Sequence, residues 1–312
     1  MEGYRLLSFY GADGAPQAGI LVGDRVYALR ELVLTDLAPK GAADAWRSTL
    51  DLLNDWDRAR DFLQAFAEQA LATSGESLSA VKLAAPILYP GAIFVIGGNY
   101  ASHAAEMAKM AGRPMTKTRV DEPFFILKPP RHTVTGCNAV IPYPAFSKQL
   151  DWEAELGVII GRRAENVTET HAMDYVAGFA VCNDLSARDY IRREGMPNQI
   201  IHDWFAQKCF PGSFPMGPWI TPKEFVPDPY DISLKLWVNG VLKQDGNTKE
   251  MVFSIAEQIA YLSRHVVLQP GDVISTGCPA GVGIAQGEVL QPGDEIRMEF
   301  GHCGTMINLI GT

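Results

Sequence analysis

The 312-residue sequence contains no run of lysine or arginine, so it lacks the electrostatic footprint of a nucleic-acid binder or of a protein that adheres to anionic membranes. Its 27 basic residues are outnumbered by 36 acidic ones, and the net charge of −9 weakly repels anions. An anionic ligand must therefore be drawn in by a few local cations or by a metal. Cysteine is scarce: Cys137, Cys182, Cys209, Cys278 and Cys303 are odd in number, widely spaced and never paired as C-x-x-C. That usage argues against a zinc ribbon or a disulfide framework and fits a reducing cytoplasm. No stretch approaches the roughly 18 apolar residues of a membrane span, and no charged N-terminal segment leads into an apolar one. No unit repeats along the chain. Small molecules are left as the expected partners.

What is present is ordinary globular composition, 47% hydrophobic and 20% charged, in a chain longer than one usual domain. Strand-like segments at Arg5 to Tyr10 and Gly19 to Ala28, the latter broken at Gly23-Asp24, open a small unit. Leu52, Trp56, Ala59, Leu63, Phe66 and Ala70 then recur at spacings of three and four, which predicts a helix packed on those strands. Polar residues from Ser74 to Ser79, with Pro86 and Pro90, mark a boundary near Ala85, giving a small α+β domain over 1–85 and a larger one over 86–312. Beyond it strands dominate: Ile93 to Ile96, Phe124 to Lys128, Trp152 to Ile160, Val176 to Cys182, Ile232 to Val238, Val273 to Thr276 and Glu295 to Phe300. Asn239-Gly240 and two Pro-Gly-Asp triplets read as turns, and Ser254 with Glu257 as a capping box. The fold class is α+β, mostly β.

In Asp151-Trp152-Glu153-Ala154-Glu155-Leu156, two-residue alternation places Glu153 and Glu155 on one face, on the order of 7 Å apart. A strand with one solvated face would carry such a pair too. Asp184 adds weight, because it ends the apolar run Val176 to Asn183 and so sits at the tip of a buried strand. Three hard carboxylate ligands suit Mg²⁺, Mn²⁺ or Ca²⁺. With no histidine or cysteine beside them in the sequence, zinc is disfavoured.

A second cluster, Gly97-Gly98-Asn99-Tyr100-Ala101-Ser102-His103-Ala104-Ala105-Glu106, follows a strand. If Ser102 caps a helix there, His103 and Glu106 at i and i+3 share a side, and the carboxylate orients the imidazole as a general base. A surface contact would look the same. Met107 to Asp121, with Lys109, Gly112, Arg113, Pro114 and Lys117, reads as a segment able to cover a site, or as a plain surface loop. Lys128 at a strand end, Lys208, and Arg188, one turn after Asp184 if a helix starts there, are candidates to bind a carboxylate or stabilise an oxyanion. In Thr276-Gly277-Cys278-Pro279-Ala280-Gly281-Val282-Gly283 the Gly-Lys-Ser/Thr ending of a phosphate loop is missing, so backbone N–H groups and the Thr276 hydroxyl point instead to an oxyanion contact, or to a tight structural turn.

Taken in order, Gly98-Asn99-Tyr100…His103…Glu106, Phe125-Ile126-Leu127-Lys128-Pro129, Glu153-Ala154-Glu155-Leu156, Asn183-Asp184-Leu185-Ser186-Ala187-Arg188-Asp189, Pro270-Gly271-Asp272-Val273-Ile274 and Thr276-Gly277-Cys278-Pro279 resemble the fumarylacetoacetate hydrolase family from about Tyr89 onward. The resemblance implies a mixed β-sandwich roll behind a small N-terminal domain, and a homodimer. It implies Mg²⁺ or Mn²⁺, sometimes Ca²⁺, on Glu153, Glu155 and Asp184, with His103 and Glu106 on a lid, Lys128 and Lys208 in the pocket, and Arg188, Thr276 and Gly277 toward substrate. Two departures, Ile191 where the family often has glutamine and Cys278 where threonine is common, bear on substrate identity. The activity expected is hydrolysis of a C–C bond in a 2,4-diketo acid of the acylpyruvate type. Water activated by His103 and Glu106 would attack the distal carbonyl, and Lys128, Lys208 or Thr276 would support the oxyanion. Decarboxylation, tautomerisation or dehydration of a related 2-oxo acid is the enzymatic alternative, and a non-catalytic structural cation the other.

Overall fold

The computed structural model describes residues 3–69, 75–110, 112, 122–197 and 201–312. Its centre is a pair of antiparallel strands, β6 (Ala154–Ile160) and β7 (Val176–Asn183), buried along their whole length. Strand β6 is therefore covered on both faces, and its alternation sorts side chains between two cores. Leu156, Val158 and Ile160 face one apolar cluster, while Ile159 faces another. Such double burial explains why both strands read as near-continuous apolar runs.

These strands lie in the middle of a large mixed sheet. β7 pairs with β8 (Phe214–Pro222), which joins β1 (Tyr4–Tyr10), and β1 continues through β2 (Pro16–Val22) to β3 (Arg25–Ala28). On the other side β6 pairs with β11 (Val273–Ser275), then in parallel with β4 (Ile93–Ile96), and finally β5 (Phe125–Lys128). A five-stranded sheet packs over this centre, built from β9 (Ser233–Val238), β10 (Val241–Asn247), β12 (Glu295–Phe300), β13 (Gly304–Ile310) and Val140–Ile141. Leu234, Leu236, Met298 and Phe300 meet Leu156 and Val158 in one cluster. The outcome is an α+β, mostly β sandwich.

On the opposite face helix α1 (Trp56–Gln69) lays Trp56, Ala59, Leu63 and Phe66 against the large sheet. That is the predicted stripe from Trp56 onward; Leu52 lies in a separate short helix, Thr49–Asn54, that ends at Asp55, and Ala70 and Ser74 fall outside the described residues. The cluster that holds α1 also contains Leu6, Ile20, Ala177, Ile220 and Val273. Strand pairing and core packing thus continue across the expected boundary near Ala85. The turn at Asn239-Gly240 has φ of 49° and 77°, as a two-residue hairpin of mirror-image type requires. Ser254 and Glu257 form the reciprocal cap that opens α4 (Ile255–His265).

Candidate metal centre

The start of β6 lies beside the end of β7, with Ala154 opposite Asn183, and this register brings the carboxylates together. Glu153 immediately precedes β6, Glu155 is its second residue, and Asp184 follows β7. The Asp184 N–H donates to the Glu153 carbonyl at 3.0 Å, and the Asn183 side-chain carbonyl accepts the Glu153 N–H at 3.0 Å. One carboxylate oxygen from each of Glu153, Glu155 and Asp184 lies within 4.8 Å of the other two. All three residues are buried.

Three cations surround them. Lys208, at the end of α3 (Trp204–Lys208), donates to Glu153 Oε2 and Asp184 Oδ2, each at 2.6 Å. Arg188 bridges Glu153 Oε1 at 2.6 Å and Asp151 Oδ2 at 2.7 Å. Lys128, at the end of β5, is wholly buried and donates to Asp184 Oδ1 at 2.6 Å and to the Ser213 carbonyl at 2.9 Å. Burial pushes the Glu153 carboxyl up, but the Lys208 and Arg188 charges outweigh it and hold the group well below the usual range. Glu155 goes the other way: burial, then repulsion from Asp184 and Glu153, drives it well above that range. Among the described residues it has no ion pair, and its Oε2 accepts the Gly277 N–H at 3.0 Å.

The charge balance tests whether a metal fits. With all four ionised, Asp151, Glu153, Glu155 and Asp184 exceed Lys128, Lys208 and Arg188 by one negative charge, and Glu155, the carboxylate without a cation, is driven toward its protonated form until one arrives. Buried oxygen donors with uncompensated charge are what a hard divalent cation requires, and a bound divalent ion turns the centre net positive, able to hold an anion.

Helix α2 (Ala101–Met110) runs past this centre. His103 Nδ1 lies 3.4 Å from Glu106 Oε2, and the Glu106 oxygens accept the Gly281 N–H at 2.9 and 3.1 Å. Ser102 does not cap the helix: it lies inside the first turn, where its hydroxyl accepts the Ala280 N–H at 3.4 Å. Both contacts tie α2 to the loop after β11. Gly277 in that loop has φ of +88°, and a Cβ there would meet the Asn99 Cβ at 2.8 Å, so the position needs glycine.

A cavity of about 220 Å³ opens onto these groups. Glu153, Glu155, Asp184, His103, Arg188 and Lys208 form its polar wall; Ile96, Met107, Ile126, Ile191 and Trp204 form an apolar one. Residues 92–310 match the family model described as fumarylacetoacetate (FAA) hydrolase C-terminal. The chain belongs to the fumarylacetoacetate hydrolase family. A 4-hydroxyphenylacetate degradation bifunctional isomerase/decarboxylase from Salmonella dublin is 40% identical over 225 residues, which cover 72% of this chain and 48% of that protein. The chain thus spans about half the length of that curated relative. The structure of maleylpyruvate hydrolase from Sphingobium sp. SYK-6 in complex with manganese(II) and pyruvate is 28% identical, with a TM-score of 0.73 over 99% of this chain and 100% of that one. The 2-hydroxyhepta-2,4-diene-1,7-dioate isomerase from Mycobacterium marinum is 26% identical, with a TM-score of 0.71 over 99% and 98%. Fumarylacetoacetate hydrolase family membership and the mostly β architecture are what the ordered motifs imply.

Within this family frame, the sequence candidates fall into three groups. Glu153, Glu155, Asp184, Lys208, Arg188, His103 and Gly277 all border the cavity. Lys128 stands behind Asp184 and outside the lining. Thr276 does not reach the cavity either: its hydroxyl and its N–H both donate to the Leu156 carbonyl, at 2.9 and 3.0 Å, extending the β6 pairing. No helix begins at Asp184; Ser186–Ala187 pairs with Leu150–Asp151 instead, which delivers Arg188 to Asp151, and a single 3₁₀ turn starts only at Arg188. Arg113, Pro114 and Lys117 of the expected covering segment lie outside the described residues, and Lys109 sits in the exposed last turn of α2.

Several positioning residues are absent from the sequence reading. Asp151 accepts Arg188 on one oxygen and the Gly283 N–H on the other at 2.6 Å, joining the carboxylate strand to the distant loop. Alternation from Glu155 through Glu153 reaches Asp151 as well, so a signal existed. Asn99 donates to the Phe253 and Thr276 carbonyls, and Gln244 accepts the Ala154 N–H at 2.9 Å; nothing local in the sequence marks either role. Zinc is disfavoured by the sequence neighbours of these carboxylates but not by their neighbours in the fold. The fold brings His103 and Cys278 to within 4.8 Å of a Glu153 oxygen and of each other.

Glu106 supplies a pH-dependent prediction. Burial raises its carboxyl, but His103 and the Gly281 N–H outweigh burial and hold it below the usual range. Its anchoring is therefore complete above the ordinary glutamate value of about 4.3 and is lost as pH falls through the lower folded value. Glu106→Gln is expected to lower stability by on the order of 1 kcal/mol at neutral pH. Urea unfolding should show that gap closing as acid is added, and a pH-independent gap would exclude an ionic anchor.

Proposed function

We propose that this chain is a divalent-metal-dependent hydrolase that breaks a C–C bond in a 2,4-diketo acid of the acylpyruvate type. The observation that carries the reading is the placement of His103, backed by Glu106, at the edge of the buried carboxylate centre. Glu153, Glu155 and Asp184 would hold the ion, Mg²⁺ or Mn²⁺ with Ca²⁺ as a third possibility. Bound there, the ion supplies charge neutralisation and polarisation of a chelating 2-oxo acid.

The chain's own residues do the rest. Glu106, ionised at neutral pH, accepts a hydrogen bond from Nδ1–H of His103 and leaves Nε2 as the basic nitrogen. His103 takes a proton from water as the oxygen bonds to the distal carbonyl carbon. Cleavage sends the bonding electrons to the pyruvate side, which recovers a proton from the imidazolium, and the acyl side leaves as a carboxylic acid. Lys208 and Arg188 present charge at the polar wall, while Ile96, Ile126, Ile191 and Trp204 shield the acyl end from water. The maleylpyruvate hydrolase crystallised with manganese and pyruvate supports this reading through its shared fold.

A second reading, isomerisation or decarboxylation of a related 2-oxo acid, is favoured by the 40% identity to the bifunctional isomerase/decarboxylase. The reactions differ in their use of water. Products of a diketo-acid and oxo-diacid panel turned over in water labelled with heavy oxygen should be two acids, one labelled in its new carboxylate. Release of CO₂, or a rearranged product without label, would overturn hydrolysis in favour of the second reading.

A further inference from the structure

We propose that His103, Glu153 and Cys278 form a second cation seat, selective for zinc-like ions, beside the all-carboxylate one. The inference goes beyond the hydrolase reading and shares only Glu153 with its metal centre. The three donor atoms, an imidazole nitrogen, a carboxylate oxygen and a thiol sulfur, lie within 4.8 Å of one another. Zinc bonds of about 2.0–2.3 Å in a tetrahedron put such atoms on the order of 3.5 Å apart, so binding requires a closure of at most about 1.3 Å.

The surroundings are those of a built ligand set. His103 turns Nδ1 to Glu106, whose oxygens are fixed in turn by the Gly281 N–H, leaving Nε2 for a metal. A carboxylate holding the far nitrogen is the usual support of a metal-bound histidine. Cys278 is buried and borders the same cavity, with its sulfur within 4.8 Å of the His103 nitrogen and the Glu153 oxygen. On coordination the thiol S–H breaks, a metal–sulfur bond forms and the proton passes to solvent. Three protein ligands with the cavity at the fourth position is an open coordination that a small anion or water completes.

The donor types separate the two seats. Glu153, Glu155 and Asp184 offer only hard oxygen, suited to Mg²⁺ and Mn²⁺, whereas sulfur and nitrogen favour Zn²⁺ and Co²⁺. An ion in the mixed seat also ties up His103, the proposed base. Zinc therefore acts as an inhibitor whose grip depends on Cys278.

The test uses the full chain and cobalt(II) as the probe, followed by absorption. Expected are a thiolate-to-cobalt charge-transfer band in the near ultraviolet and intense visible bands of a tetrahedral ion. Zinc should displace both. Cys278→Ser should lose the charge-transfer band and raise the zinc needed to fill the seat by more than about a hundredfold, above the roughly 10–100-fold that loss of an outer-shell partner brings. His103→Gln serves as a second variant should Cys278→Ser fold poorly, and it should lose the intense visible bands. Cobalt that fails to bind, binds without the charge-transfer band, or keeps it in Cys278→Ser overturns the proposal. Manganese(II) binding read by paramagnetic resonance reports the carboxylate seat separately, so failure there counts against the hydrolase reading alone.

Discussion

His103→Ala is expected to lower turnover of an acylpyruvate by about 10²–10⁴-fold, the usual range for removing a positioned acid–base group, while manganese affinity changes little. The split follows from geometry. His103 borders the cavity but is not one of the three carboxylates that cluster around the ion's expected place. Its partner Glu106 orients the ring from behind, so Glu106→Gln should reduce turnover less than loss of the ring itself. Steady-state kinetics and manganese titration by paramagnetic resonance measure the two quantities on the same samples. Equal hydrolysis by the alanine variant would remove water activation from His103 and with it the observation on which the hydrolase reading rests.

How much of this centre is legible in the sequence depends on whether the signal is local. Glu153 and Glu155 are readable because strand alternation is a two-residue rule, and Asp184 because an apolar run ends on a charge. His103 and Glu106 are readable at helical spacing. The carboxylate–histidine contact and the Cys278 approach are not, because they depend on a loop more than 170 positions away that two Gly281 N–H contacts and one Ala280 contact pull against α2. Thr276 misleads for a related reason. A hydroxyl beside a glycine-rich turn has the composition of an oxyanion contact, yet the β6 edge offers it the Leu156 carbonyl first. The boundary near Ala85 is drawn from proline and polar punctuation, a local cue, whereas the pairing of Leu6 with Ile220 that carries the sheet across it spans over two hundred residues.

Asp184→Asn is expected to have a double effect, abolishing tight metal binding and lowering stability by about 3–5 kcal/mol. The second effect comes from Lys128. Its side chain has no exposure, and among the described residues its ammonium meets Asp184, the Ser213 carbonyl and the Phe214 ring. Burial already draws its proton affinity below the ordinary lysine value, and Asp184 is the largest influence opposing that. An amide at 184 keeps the shape and removes the countercharge. In chelator-treated protein the stability deficit should therefore be full below the lowered lysine value of the folded variant and shrink as pH rises from there toward the ordinary lysine value of about 10.4, because the unfolded chain then binds a proton that the folded variant has shed. Combining Asp184→Asn with Lys128→Met should restore most of the lost stability, since an apolar side chain of similar volume has no charge to strand. It should not restore manganese binding, which needs the carboxylate itself. Urea unfolding of the wild type, both single variants and the pair closes the cycle. A double variant no more stable than Asp184→Asn alone would show that Lys128 is held by something other than the Asp184 charge.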